Sequence, residues 1–305
     1  MAASGAQTIR LSTIVLVGSL VLVWGCNWPA MKLILGYISP LWFACLRMGM
    51  GTLSLFLVTA IWARGVKAPA RADLPVVLSV GLLQMAAFLA LVNLALMNVP
   101  AGRSAILAYT TPLWVVPGAT LILGERVSGA KALALLLGLA GVAFMFNPVG
   151  FDWSDRRAII GNAYLLAAAA LWAVAIIHVR KHRWVGSPLT LAPWQMLTGL
   201  VPLAVLTWRV EGPPPPISFS AGALALAVYS GPLVTAFPFW AAVTATRILP
   251  AVTVSLTLLL VPVIGLLSSA LVLREPLSAT TVAGLSLIVS GVAALSLANA
   301  RESRT

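Results

Sequence analysis

The sequence predicts an all-helical membrane protein: ten transmembrane helices built as two inverted five-helix repeats, with both termini cytoplasmic. Three observations lead there. Apolar residues make up 61% of the 305 positions and charged residues only 9%, a balance outside the range of soluble domains. The apolar residues gather into long stretches, most of them near the roughly 20 residues that a helix needs to cross the hydrocarbon core. The second half of the chain also repeats landmarks of the first in register.

The first span, 11–31, sits where a signal peptide would, but it has no small-x-small cleavage site and is followed by further stretches of the same kind. Spans 40–62, 74–97, 104–123 and 132–146 complete the first half, residues 1–150. The last of these is the shortest because Lys131 and Asn147 bound it. In the second half, residues 151–305, the spans are 158–179, 187–208, 219–246, 250–273 and 278–299. Long, continuously apolar runs suit helices rather than the short alternating strands of a barrel. No connection is long enough to hold an extramembrane domain, and the most distinctive is the proline run at 213–216, a stiff polyproline connector.

A net charge of +12 would suggest a nucleic-acid partner in a soluble chain. Here the basic residues fall mostly between spans. With loops assigned alternately to the two sides, twelve lysines and arginines share the side of the N-terminus and six lie opposite, while Arg47 falls inside a span. Positive-inside asymmetry then puts both termini in the cytoplasm, and no nucleic-acid partner is expected. Cys26 and Cys45 lie in apolar stretches and supply neither a disulfide framework nor a metal-ligand spacing.

Shifted by 150 residues, Pro100 falls on Pro250, Pro112 on Pro262, Glu125 on Glu275, Ser128 on Ser278 and Gly141-Val142-Ala143 on Gly291-Val292-Ala293. At a shift of 148, Ser39-Pro40-Leu41 falls on Ser187-Pro188-Leu189, Trp24 on Trp172 and Met48 on Met196. Five helices per repeat is an odd number, so the second repeat must enter the membrane upside down. Such repeats give two near-equivalent packings around a midplane site, the basis of alternating access.

With two five-helix halves, a Trp-Gly-x-Asn stretch in the first span (Trp24, Gly25, Asn27) and glutamates closing the fourth and ninth spans (Glu125, Glu275), the chain resembles a ten-helix EamA-type member of the drug/metabolite transporter superfamily. Within it, the chain is most similar to bacterial aromatic amino-acid exporters. That resemblance implies a small-molecule cargo, a multi-pass protein of a bacterial inner membrane, and a central cavity lined by the first, third, fourth, sixth, eighth and ninth helices. It implies no cofactor. The oligomeric state stays open, a monomer being sufficient.

Mapping by helical face proposes the cargo contacts. On the first helix Trp24 and Asn27 share a face with Trp28 and Met31; the alternative for Asn27 is a bond to a neighbouring helix, and for Trp28 a place in the interfacial belt. Gln84 and Phe88 lie four residues apart on the third. Tyr109 precedes Pro112, and Thr257 precedes Pro262, prolines that cannot donate to the carbonyls of Ala108 and Leu258. Those freed carbonyls would suit an ammonium group and the two prolines would act as hinges. Trp172, Tyr229, Phe237 and Trp240 add aromatic surface, as does Trp114 if the fourth helix is rotated slightly.

The absent residues also inform. No Asp or Glu lies deep in a span, which argues against tight proton coupling and organic-cation cargo. Glu125 and Glu275 are expected to be structural, paired with neighbours such as Arg126 or Arg274. Arg47 can snorkel, pair with a carbonyl or meet a cargo carboxylate; its uncharged counterpart, Gln195, favours a structural role. His178 and His182 have no acid along their own helix and Cys26 has no evident base, so neither a catalytic nor a metal site is expected. No ring of like residues suggests a channel filter.

Overall fold

The computed structural model describes residues 11–63, 65–214, 221–274 and 277–302. Glu275 and the later part of the 213–216 proline run lie outside them. In chain order the helices are α1 (Leu11–Ile34), α2 (Pro40–Trp62), α3 (Arg71–Leu96), α4 (Ala101–Leu123), α5 (Gly129–Phe146), α6 (Arg156–Lys181), α7 (Pro188–Glu211), α8 (from Ala221–Val228 through Phe237–Ile248), α9 (Ala251–Leu273) and α10 (Ala279–Glu302). No strand occurs among the described residues. Eight helices, α1–α4 and α6–α9, are long and apolar enough to cross a membrane, while α5 and α10 carry shorter apolar stretches, Gly129–Phe144 and Val282–Ala294.

Large apolar side chains point outward as well as inward: Leu121 is 84% exposed and Leu271 83%. Such a surface suits lipid, where every backbone polar group must be satisfied inside the protein and helices do this locally. The helix ends are closed by short-range chemistry. Asp155 accepts from the Arg157 and Ala158 amides, Ser187 and Thr190 form a reciprocal capping box, and Gly124 ends α4 in the left-handed conformation (φ 66°).

Two helices are broken just before the paired prolines. α4 divides into Ala101–Ala108 and Pro112–Leu123, and α9 into Ala251–Thr257 and Leu260–Leu273. The carbonyls that the prolines free do not stand open. Thr111 donates its hydroxyl to the Ala108 carbonyl (3.3 Å), and the Val261 amide donates to that of Leu258 (3.0 Å). Each carbonyl thus has one local donor, which leaves its second lone pair for the ammonium group expected from sequence.

A second departure from ideal helix lies in α3 and α8. Each contains an eight-residue π-helical segment, Val80–Ala87 and Tyr229–Ala236, and the two stand 149 positions apart. Each segment packs on a helix of the other half: that of α3 on α7, and that of α8 on α2. Glycine makes the approach possible. A side-chain atom on Gly81 would stand 2.5 Å from the Gln195 carbonyl oxygen, and one on Gly231 2.5 Å from Cβ of Met50. The other pairings also recur under exchange of halves. α1 lies on α9 and α8 as α6 lies on α4 and α3, and α5 lies along α10.

Gly199 faces Gly81, and a Cβ there would come within 2.9 Å of Cβ of Met85. Overpacking of this kind costs about 1–3 kcal/mol, so Gly199→Ala is expected to lower the thermal unfolding midpoint in detergent. A midpoint equal to that of the parent would mean that α3 and α7 do not meet here.

Candidate functional site

Six helices converge on a buried space near the middle of the molecule. α1 contributes Trp24, Asn27, Trp28 and Met31, and α3 contributes Met85, Phe88, Leu89 and Val92. Arg47 enters from α2, Tyr109 from the break in α4, Trp172 from α6, and Val234, Thr235 and Phe239 from α8. The aromatic rings form a connected wall. Trp172 stands edge-on to Trp24 (5.1 Å between ring centroids) and to Phe88 (4.4 Å), and Trp28 stands edge-on to Tyr109 (6.4 Å). The side chains close on one another, leaving about 50 Å³. That holds a water, whose share of liquid volume is about 30 Å³, and an aromatic cargo enters only if the walls part.

Against this wall stand two unsatisfied polar groups. Asn27 is 4% exposed and its Oδ1 has no hydrogen-bond partner in the protein. Arg47 is 3% exposed, so it does not snorkel, and among the described residues it bonds no carbonyl. Its Nε donates to Oγ1 of Thr235 (2.9 Å), while its Nη1 is buried without a partner. Thr235 in turn donates to the Ser230 carbonyl (2.6 Å), five residues earlier in the π segment. Among the described residues no carboxylate pairs with Arg47 and none lines the cavity.

Of the residues proposed from sequence, Trp24, Asn27, Phe88, Tyr109 and Trp172 line this space, and Trp28 joins them rather than an interfacial belt. Gln84 is buried but outside the lining, its place taken by Met85. Phe237 and Trp240 are half-buried and face each other (6.3 Å), while Phe239 lines the cavity instead. In α8 the π segment precedes Phe237 and rotates the face that follows it, so spacing counted at 3.6 residues misplaces it; in α3 the lining residues Met85, Phe88, Leu89 and Val92 keep ordinary helical spacing and Gln84 lies beside that face. Trp114 is 44% exposed, away from the cavity. Thr257 is half-buried and donates to the Thr253 carbonyl (2.8 Å), so α9, which the resemblance places in the lining, gives way to α2. Tyr229 lines a separate recess of about 480 Å³ with Leu33, Tyr37 and Leu226, between the end of α1 and the start of α8.

Carboxylates hold the helix ends around the cavity. Glu125 accepts from the Ala251 and Val252 amides at the start of α9 (2.9 and 3.2 Å) and meets Arg180 at 3.9 Å. Its partners are thus on other helices, not Arg126 beside it. Asp73, fully buried, accepts from the Val185 and Gly186 amides and pairs with Nε2 of His182 at 2.9 Å, while His178 bonds Ser79. At the other end of the molecule Glu211 accepts from the Leu41 and Trp42 amides and the Ser39 hydroxyl.

Residues 11–147 and 159–297 each match the EamA-like transporter family. The uncharacterized transporters YoaV and YvbV of Bacillus subtilis are 27% and 29% identical, over 90% and 94% of this chain and 93% and 92% of their own. A probable amino-acid metabolite efflux pump of Escherichia coli is 26% identical over 89% of this chain and 90% of its own. A crystal structure matches with a TM-score of 0.76, covering 96% of this chain and 98% of that one at 19% identity, a likeness of fold.

If Glu125 caps α9, Glu125→Ala removes both acceptors and costs about 1–2 kcal/mol locally. Hydrogen exchange at Ala251 and Val252 is expected to quicken roughly tenfold for ~1.4 kcal/mol, with Glu125→Gln retaining part of the protection. Unchanged exchange in both variants would remove the cap from the account.

Proposed function

The chain belongs to the EamA-like transporter family, and from that premise we propose that this multi-pass membrane protein is an alternating-access carrier that exports or facilitates the movement of amino acids, aromatic ones included. The observation that carries the reading is the buried wall of Trp24, Trp28, Phe88, Tyr109 and Trp172 with the unpaired Oδ1 of Asn27 set into it. Ring edges and faces accept a flat side chain, and an amide oxygen accepts a hydrogen bond from an amino group. The name of the Escherichia coli relative, a probable amino-acid metabolite efflux pump, supports the same class of cargo.

In this reading α5 and α10 also cross the bilayer, giving ten spans in two inverted halves with both termini in the cytoplasm. The breaks before Pro112 and Pro262 serve as hinges. As one half rocks against the other, the α4 and α9 segments bend there and the cavity opens to one side at a time. A multidrug efflux carrier of the same superfamily is the alternative; a cavity lining without Asp or Glu among the described residues speaks against organic cations.

The test is counterflow of radiolabelled phenylalanine into liposomes preloaded with the unlabelled amino acid, with no ion gradient. Uptake is expected in the parent. Trp172→Ala should reduce it about tenfold, the effect of losing ~1.4 kcal/mol of contact, and Trp114→Ala should leave it unchanged. Pro112→Ala is expected to slow exchange without weakening phenylalanine binding. No uptake of phenylalanine by the parent would sink the amino-acid reading.

A further inference from the structure

We propose that Arg47 is a receptor for a carboxylate, and that the net charge of the cavity makes aromatic monocarboxylate anions better cargo than zwitterionic amino acids, with amines excluded. The inference rests on reading this cavity as the cargo site, but not on the cargo being an amino acid.

The argument begins with a charge in the wrong solvent. A guanidinium 3% exposed, in a helix long and apolar enough to span a membrane, has lost its water, and such groups ordinarily find an acid or a set of carbonyls. Arg47 has found one hydroxyl, that of Thr235, and the ring of Phe43 at 5.7 Å. Neither neutralises it. Its Nη1 remains buried and unpartnered on the cavity.

The guanidinium is also held. Thr235 uses its own proton on the Ser230 carbonyl, inside the π segment of α8, so only its lone pairs face Nε of Arg47. With Nε bonded to Thr235, Nη1 is a buried donor without a partner, on a residue that lines the same space as Asn27, Tyr109 and the tryptophans. A planar fork of N–H groups matches a carboxylate with two parallel bonds, which are charge-assisted and stronger than neutral ones.

Charge then sets the order of preference. The lining carries the one cation and, among the described residues, no acid. A monoanion brings the site to neutrality. A zwitterion satisfies Nη1 but adds an ammonium for which the lining supplies only the Asn27 oxygen and aromatic faces. An amine adds a second cation and leaves Nη1 unpaired.

Three probes sharing one ring separate these cases: phenylpyruvate, phenylalanine and phenylethylamine. Each is added at the same concentration to the purified protein in detergent, and the rise in thermal midpoint is read; counterflow of labelled phenylpyruvate in liposomes follows. The expected order of stabilisation is phenylpyruvate above phenylalanine, with phenylethylamine giving none. Arg47→Gln, which installs the residue of the equivalent position 195, should weaken phenylpyruvate on the order of tenfold to a hundredfold, the range for hydrogen bonds to charged groups. It should also abolish the discrimination between the three probes. Thr235→Val serves as a second variant should Arg47→Gln fail to fold. As a positioning change, it should narrow the ratio of phenylpyruvate to phenylethylamine binding while leaving the parent midpoint little altered.

Phenylpyruvate bound and carried with phenylalanine inert would uphold this proposal while sinking the amino-acid reading. Phenylalanine carried equally well by the parent and by Arg47→Gln, or phenylethylamine binding as tightly as phenylpyruvate, would overturn the proposal and leave that reading standing.

Discussion

In hydrocarbon a polar group has no water to fall back on, and the rest of this structure follows from that constraint. It explains why the described residues form helices and no strand, since each helix closes its own backbone bonds. It also explains how the departures from ideal helix are repaired. Where Pro112 and Pro262 break the ladder, Thr111 and the Val261 amide take up the freed carbonyls; where the π segment of α8 loosens it, Thr235 bonds back to Ser230. Carboxylates at helix ends act in the same way: Glu125, Asp73 and Glu211 each satisfy amides of an element distant in sequence. Side-chain pairing is less complete: Asn93, Asn162, Gln195 and four hydroxyl residues also bury unpaired atoms, and among the described residues with such atoms Asn27 and Arg47 are the two that line the cavity.

How much of this was legible in sequence depends on the period of the backbone. The long apolar runs read as helices because their period needs no refinement. The first-helix face of Trp24 and Asn27 read correctly because α1 is regular from Leu11 to Ile34. In α8 the same counting puts Phe237 where Phe239 lies, while in α3 it places Phe88 on the lining and Gln84 one position from Met85, which lines it. No propensity marks a π turn. The faint signal was the pair Gly81 and Gly231 in matching positions, small residues set where a neighbouring helix comes too close for a side chain. Arg47 was visible as a charge, but its partners were not. A snorkelling arginine and a buried one have the same sequence signature, and the hydroxyl that ties Nε lies 188 positions away.

The repeat was legible in its scaffold and misleading in its chemistry. Positions that set helix geometry recur: the prolines before which α4 and α9 break, the glycines of the π segments, and the left-handed closures at Gly124 and Arg274. Positions that face the cavity mostly do not. Asn27 has Ala175 as its counterpart and Arg47 has Gln195; the tryptophan pair Trp24 and Trp172 is the exception, meeting edge-on at 5.1 Å. Weighing Arg47 by its neutral counterpart points toward a structural role, whereas the carboxylate proposal rests on the difference between the two.

That division has a physical reason. Two halves of near-equal packing must bury near-equal surfaces, so residues at the helix crossings are held alike: a large side chain at Gly81 or at Gly231 would open one crossing and not the other. A small cargo has no such symmetry. It presents a flat apolar end and a polar end, and a lining that repeated exactly the same groups across the axis would offer each end the wrong partner on one side. In the lining Asn27, Arg47 and Thr235 put polar groups on α1, α2 and α8, and rings come from α1, α3, α4, α6 and α8, a distribution that the two halves do not share evenly. In the carrier proposed above, like packing of the two halves would supply the motion while the unlike lining supplies the recognition.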